Sequence, residues 1–196
     1  RLDVLRLALG LVESKPLEVW ILKDKKQYMQ VSNAPGWSAG VFKPSTGVCY
    51  FFGRVTDVMF HEFTHQILGV FARKNNAPSW LVEGIAVYTE TATFSHGRVE
   101  IPGARPSEGL TLEDLLKLRS GKAWHRYHNR GDKSAYGDAG SLATFCMNAK
   151  GGVFRADFID FVRDSYLGRT KNAALWDYLG QGEAAFAREY EMWRRR

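Results

Sequence analysis

The residues that could do chemistry are concentrated in one short segment, His61-Glu62-Phe63-Thr64-His65. Two histidines four residues apart lie on one face of an α-helix, one turn from each other. Both imidazoles can therefore bind the same Zn²⁺, at about 2.0–2.1 Å. Glu62 follows the first histidine and can accept a proton from a water molecule that the metal activates. The segment predicts a hydrolytic zinc site, although a helix with two incidental histidines has the same pattern.

A catalytic zinc ion needs a third protein ligand, and Glu83 is the candidate. It lies 18 residues after His65, inside the otherwise apolar stretch Trp80–Val87. A carboxylate in such a stretch is costly to bury without a charged partner, and a metal ion is such a partner. The short polar connection Lys74–Pro78 lets the two predicted helices pack as antiparallel neighbours. The alternative for Glu83 is an acidic residue near a helix N-terminus, which the helix dipole stabilises.

The two segments HEFTHQ and WLVEGIAVYTE resemble the gluzincins, and specifically the M1 aminopeptidases. In that family HExxH is followed, after 18 residues, by a glutamate in a WLNEGFA-like helix. The residues Gly40–Pro44 and Val48–Phe51 look like the strand pair before the active helix of small peptidase-MA-like proteins, including the DUF1570 group. The resemblance covers roughly residues 38–92. It implies one Zn²⁺ per chain with Glu62 as general base and three ligands, namely His61, His65 and Glu83.

The sequence departs from these families at two places. The strand Val48–Phe52 has no GxMEN motif, which binds the substrate amino terminus in M1 enzymes, so aminopeptidase specificity is not supported. Thermolysin-like relatives have an aspartate four residues after the third ligand, where this chain has Val87. A carboxylate that orients a zinc-bound histidine must therefore come from elsewhere. Asp57 is a candidate, and an acidic residue that starts a helix is the alternative.

A second donor usually helps to stabilise the oxyanion of the tetrahedral intermediate. In the gluzincins this donor is a downstream tyrosine or histidine. Tyr136 opens the segment Tyr136–Leu142, which looks like the corresponding helix start in M1-like enzymes. We predict Tyr136 as a catalytic residue, against the alternative of a capping or packing tyrosine. His125 and His128 are its rivals in a predicted loop.

The pattern of apolar residues predicts an α+β fold, with a small N-terminal sheet followed by a mainly helical part. The length predicts one domain over residues 1–196, and the resemblance implies that this domain is zincin-like. We predict helices at 2–14, 55–72, Ser79–Thr91, 112–119, 135–149, 154–166, 171–179 and 182–194. We predict strands at 17–22, 27–31, Ala39–Phe42 and Val48–Phe52, a loop or hairpin at 97–106 and a loop at 120–133. Ser79 and Thr111 are predicted helix N-caps.

Composition excludes some classes of protein and leaves others open. The net charge is +6, but three arginines end the chain, so we favour a solvated tail over an acidic partner. The basic aromatic stretch Lys122–Arg130 has no recognised nucleic-acid motif, and no nucleic acid is expected. No apolar run approaches the roughly 20 residues of a membrane span. Cys49 and Cys146 form no CxxC pair, which excludes a cysteine zinc site, and are either a disulfide or buried thiols.

The leading hypothesis is a zinc metallopeptidase that acts on a peptide or protein. We expect its cleft between the strand Val48–Phe52 and the helix Ser79–Thr91, with an extended peptide adding along that strand. The alternatives are a zinc-binding interaction module without turnover and a zinc hydrolase of another amide or ester. Because the chain starts at Arg1 and resembles this family, we favour an exported protein; the oligomeric state is not predicted.

Overall fold

The computed structural model describes residues 16–53, 56–71, 76–128, 134–170 and 173–195. Its strands are β1 (Glu18–Leu22), β2 (Gly40–Lys43), β3 (Val48–Phe52), β4 (Thr93–Ser95) and β5 (Arg98–Glu100). Its α-helices are α1 (Lys25–Ser32), α2 (Thr56–Phe71), α3 (Ser79–Glu90), α4 (Leu112–Lys117), α5 (Gly121–His128), α6 (Ser134–Asn148), α7 (Arg155–Tyr166), α8 (Leu175–Tyr178) and α9 (Glu183–Arg194). The predicted helix 2–14 lies outside the described residues.

The α+β prediction is confirmed, because a small N-terminal sheet precedes a mainly helical part. The sheet has the strand order β1-β3-β2, in which β1 is parallel and β2 antiparallel to β3. Buried aromatic side chains fill the space between the helices, among them Trp124, Phe145, Phe158, Phe186 and Tyr190. Burial of such side chains is the largest favourable contribution to the folding of a helical layer. No helix of the described segments has the length and apolar character that crossing a membrane requires.

The strand predicted at 27–31 is wrong, since these residues belong to α1. Asp24 is its N-cap and accepts a hydrogen bond from the backbone N–H of Gln27 at 2.9 Å. Tyr28 and Ser32, four residues apart, form the buried face of the helix. The cap and the helical spacing of the buried residues together favour the helix over a strand.

The loop predicted at 120–133 is wrong for residues 121–128, which form α5. Ser120 precedes this helix, and its hydroxyl accepts a hydrogen bond from the backbone N–H of Ala123 at 3.2 Å. Trp124 is 2% exposed and anchors the helix in the core.

The N-cap predicted at Thr111 is confirmed by a hydrogen bond from Asp114 N–H. The N-cap predicted at Ser79 is wrong, because Pro78 occupies that position and Ser79 begins α3.

Glycine allows α3 and α6 to pack closely. A Cβ atom added at Gly84 would lie 2.6 Å from the carbonyl oxygen of Ala139, and one added at Gly140 would collide with the side chain of Val87. Real Cβ atoms do not approach other atoms so closely, so only glycine fits at both positions without a shift of the helices. This packing holds the N-terminal half of α6 against the turn of α3 that carries Glu83.

Candidate metal centre

The three predicted ligands converge, although they come from two helices. His61 and His65 lie on one face of α2, with their Nε2 atoms 3.1 Å apart. Glu83 lies on α3, with its Oε2 atom 3.5 Å from His61 Nε2 and 3.4 Å from His65 Nε2. The three side chains are only 14–19% exposed. They form the one group of three or more possible metal-ligating side chains found within the described part of the chain.

The spacing of these atoms fits a tetrahedral zinc ion. Zinc bonds of about 2.0–2.2 Å at tetrahedral angles separate the ligand atoms by about 3.3–3.6 Å. The observed separations are 3.1, 3.4 and 3.5 Å. Two imidazole nitrogens and one carboxylate oxygen are also the donor types that zinc accepts, with a fourth position open to water or substrate. The residues therefore fit one such ion.

The electrostatics of the centre favour a cation. Burial alone would raise the pKa of Glu83, but His65 and His61 hold it well below its usual range. Burial alone would lower the pKa of His61, but the hydrogen bonds to Glu83 and Glu90 raise it to about 10. The metal-free centre thus keeps a proton on a histidine to balance nearby carboxylates, and a divalent cation can replace that proton.

Glu90 is a site residue that sequence reasoning missed. Its Oε2 atom lies 3.2 Å from Nδ1 of His61, on the side of the ring opposite to the ligating Nε2. Such a contact fixes the tautomer and the orientation of a ligating histidine. The candidate Asp57 is exposed, and the carboxylate partner of His61 is Glu90 instead. The available signal was the seven-residue spacing from Glu83, which places both acids on one face of α3.

Glu62 is held by the neighbouring edge strand. Its Oε2 atom accepts a hydrogen bond of 2.7 Å from the backbone N–H of Phe42 in β2. The strand β3 lies between β1 and β2 and pairs with both. An extended peptide therefore cannot add along Val48–Phe52, and that prediction is wrong. The strand that borders the centre is β2, through its contact with Glu62.

Two polar side chains of α2 hold it in position. The hydroxyl of Thr64 on α2 lies 2.6 Å from that of Thr89 on α3, next to the ligand cluster. Gln66 is fully buried, and its Nε2 donates to the carbonyl oxygens of Glu18 at 2.8 Å and Gly47 at 2.9 Å. These contacts join α2 to α3 on one side and to the sheet on the other. The ligands therefore stand on elements that are fixed from both sides.

Tyr136 lies beside the centre, in the first turn of α6. Its ring centroid is 6.3 Å from that of His61, and Trp124 packs edge-on against it at 5.0 Å. Burial, reinforced by the negative charge of Glu83, raises the pKa of Tyr136 to about 12. The phenol therefore stays protonated at neutral pH and can donate a hydrogen bond. Its catalytic role stays a prediction.

The two rival histidines belong to α5. His125 is exposed on this helix. His128 is its last residue, and its side chain lies outside the description. Of the three candidates for the oxyanion donor, Tyr136 is the one with a described ring contact to His61.

Both cysteines are free and buried. The Cys49 thiol in β3 lies 3.4 Å from the backbone oxygen of Glu62. Cys146 lies inside α6, in the helical core. Burial raises the pKa of both thiols, and the charge of Glu62 adds to the effect at Cys49. Of the two alternatives for these residues, the structure has buried thiols.

A comparison with known proteins places the chain in a family. No curated protein and no solved structure matches it significantly. The family model described as "Protein of unknown function (DUF1570)" matches residues 55–165. This segment is more than half of the chain and runs from the start of α2 almost to the end of α7, so it contains every candidate site residue. The chain therefore belongs to the DUF1570 family.

Proposed function

We propose that the protein is a zinc-dependent hydrolase that cleaves peptide bonds, similar to the gluzincins. The observation that supports this proposal best is the convergence of His61 Nε2, His65 Nε2 and Glu83 Oε2 at separations of 3.1–3.5 Å. Glu62 stands next to the first of these ligands in the chain. A purely structural zinc site closes all four positions with protein ligands and has no use for a neighbouring base.

The residues around the centre supply what peptide hydrolysis needs. Bound zinc would polarise a carbonyl group and lower the pKa of its water to about 7. Glu62 accepts the proton of the attacking water and passes it to the leaving amine. The N–H of Phe42 occupies Oε2 and orients the carboxylate. Tyr136, protonated at neutral pH, donates a hydrogen bond to the oxyanion. Glu90 orients His61.

The first experiment measures the zinc content of the purified chain by atomic emission. About one zinc per chain is expected from a His₂Glu site, and Glu83→Ala should lose most of it. Glu108→Ala is the matched control, because Glu108 is an exposed acid outside the ligand cluster. The proposal is ruled out if the wild type cannot be loaded with zinc, or if Glu83→Ala has the same zinc content as the wild type.

The second experiment separates catalysis from binding alone. Zinc-loaded wild type and Glu62→Gln are compared on a panel of peptide, amide and ester substrates. General-base catalysis contributes about 10²–10⁴-fold, so Glu62→Gln should lose activity on peptides by that factor with its zinc content unchanged. A zinc-loaded wild type that turns over none of the substrates would indicate a binding module. Turnover of esters or other amides without peptides would correct the substrate class.

A further inference from the structure

A cavity adjoins the candidate centre, at the start of α3. Its volume is about 420 Å³, and Glu83 contributes to its wall. Its lining also includes Arg119, Ser120 and Gly121, which precede or begin α5 and are exposed to solvent. Since Glu83 belongs both to the ligand cluster and to this wall, a molecule in the cavity lies next to the metal position.

Arg119 is fixed relative to Glu83 by the backbone. The N–H of Ser79 donates to the carbonyl oxygen of Arg119, and the N–H of Trp80 donates to that of Leu118, both at 3.1 Å. Ser79 precedes Glu83 by four residues on α3, which is about one helical turn of 5.4 Å. The backbone of Arg119 is therefore held about one turn from that of Glu83, along the axis of α3.

The charged residues that line the cavity leave the side chain of Arg119 available to bind an anion. Arg119 is the one basic residue and Glu83 the one acidic residue among those that line it. The carboxylate of Glu83 is already engaged by His61 and His65. No carboxylate in the described part of the chain pairs with the guanidinium of Arg119. Arg119 is thus the cation of this lining that an anionic group in the cavity could pair with, without displacing a carboxylate of the described residues.

We propose that this cavity is a subsite for a carboxylate of the substrate, and that Arg119 binds it. That the carboxylate belongs to a peptide substrate rests on the peptide hydrolysis proposed above. A guanidinium matches the planar geometry of a carboxylate with two parallel hydrogen bonds, and such charge-assisted pairs are the strong ones. In a peptide the carboxylate is either the C-terminus or the side chain of Asp or Glu. The subsite thus gives the enzyme a preference for a carboxylate beside the scissile bond.

Three peptide probes test the subsite by isothermal titration calorimetry. They are N-acetyl-trialanine with a free carboxylate, its C-terminal amide, and the amide of N-acetyl-Ala-Glu-Ala. Binding is measured to the full chain carrying Glu62→Gln, with and without zinc, so that no probe is cleaved. A carboxylate probe should bind about tenfold or more tightly than the neutral amide at low salt. The two acidic probes show whether the C-terminus or the side chain is preferred.

Variants assign the preference to Arg119. Arg119→Gln should abolish it, whereas the exposed Arg188→Gln on α9 should keep it. Gly121→Asp is a second test, because an added Cβ meets no atom within 4 Å and an acid suits the first turn of a helix. It should abolish the preference with the melting temperature unchanged. Equal binding of acid and amide, or a preference that survives Arg119→Gln, overturns the subsite.

The outcomes also separate the subsite from the proposed function. Arg119 is not a metal ligand, so the preference for a carboxylate is expected in the zinc-free protein too. A preference that depends on Arg119, in a protein that neither binds zinc nor cleaves peptides, leaves the subsite standing and rejects the proposed function. Zinc-dependent peptide cleavage without a carboxylate preference would support the proposed function and reject the subsite.

Discussion

Two carboxylates inside the fold, the partly buried Glu83 and the fully buried Asp138, are stabilised in different ways. Asp138 in α6 is fully buried and accepts hydrogen bonds from the backbone N–H groups of Gly109 at 3.1 Å and Leu110 at 2.6 Å. Glu83 in α3 faces the imidazoles of His61 and His65 at 3.5 and 3.4 Å. Backbone N–H groups donate at every pH, whereas an imidazole nitrogen donates only when it carries a proton.

This difference suits Asp138 to a structural role and Glu83 to the proposed metal site. The donors of Asp138 are part of the fold and hold the loop before α4 in place, with support from Arg194, which donates to the carbonyl oxygen of Leu110 at 2.6 Å. The partners of Glu83 are side chains that could instead bind a metal ion together with it. A change at Asp138 should therefore affect folding, and a change at Glu83 should affect metal binding.

The largest expected effect is the stabilisation of the fold by zinc. Free zinc at 1,000 times its dissociation constant should raise the free energy of unfolding by about 4 kcal/mol. Glu83→Gln should lose most of this gain, because it removes one of three ligands. Urea unfolding in zinc and in chelator measures the effect, with Asp138→Asn as the control that keeps its zinc response. An equal zinc response in Glu83→Gln would contradict the comparison.

Removal of the structural acid should lower stability whether or not zinc is present. Asp138→Ala deletes two hydrogen bonds to a charged acceptor, which we expect to cost about 2–4 kcal/mol. Asp138→Asn keeps one acceptor oxygen and should cost less. Urea unfolding in chelator gives both values. If Asp138→Ala has the same free energy of unfolding as the wild type, the backbone N–H groups of Gly109 and Leu110 do not need the Asp138 carboxylate as acceptor.

The contact between Glu90 and His61 should tune affinity with little effect on folding. Loss of an outer carboxylate typically weakens metal binding by about 10–100-fold, and we expect this for Glu90→Gln. Its side chain is 35% exposed, so the metal-free stability should stay close to that of the wild type. Competition with a chromophoric chelator measures the dissociation constant. Asp57→Asn is the control, and an equal loss of affinity there would restore Asp57 as the orienting acid.

The metal-free centre should also show a pH dependence of its own stability. Because the folded pKa of His61 is raised to about 10, its protonation stabilises the metal-free fold fully below its unfolded value of 6.5. This contribution is lost as the pH rises from about 7 to about 10, whereas zinc-loaded protein should not show the loss. Urea unfolding across this range measures it.

Zinc binding at pH 7 should accordingly displace about one proton, since His61 is protonated beforehand. Calorimetry in buffers that differ in ionisation enthalpy counts the protons released. Asp138→Asn should release the same number as the wild type, because backbone donors do not titrate. A binding enthalpy that is independent of the buffer would contradict the proton on His61.

The cluster of candidate ligands could be predicted because its signals lie close together in the sequence. His61 and His65 are one helical turn apart, and a short connection brings Glu83 back to them. The thermolysin-like pattern does not predict Glu90. In that pattern the orienting acid is the fourth residue after the third ligand, and here that residue is Val87. The seventh residue lies on the same face of the helix, two turns on.

Contacts that depend on the order of the strands could not be predicted. The bond from Phe42 N–H to Glu62 joins residues 20 positions apart, and it forms because β2 is at the edge of the sheet. Nothing in the residues of β3 shows that it pairs with a strand on each side. The sequence therefore did not show that β3 has no free edge to which a substrate peptide could add. The helices α1 and α5 are by contrast predictable from local signals, because Asp24 and Ser120 are residue types that favour a helix start.

The two buried thiols allow local opening of the two regions to be measured in the unmodified chain. Cys49 is covered by α2, because its thiol contacts the backbone of Glu62, whereas Cys146 is enclosed by the helical core. A buried thiol with a raised pKa reacts with a labelling reagent only after the structure around it opens. If the candidate centre opens separately from the core, Cys49 is modified before Cys146. Equal rates would mean that α2 leaves the sheet only when the whole chain unfolds.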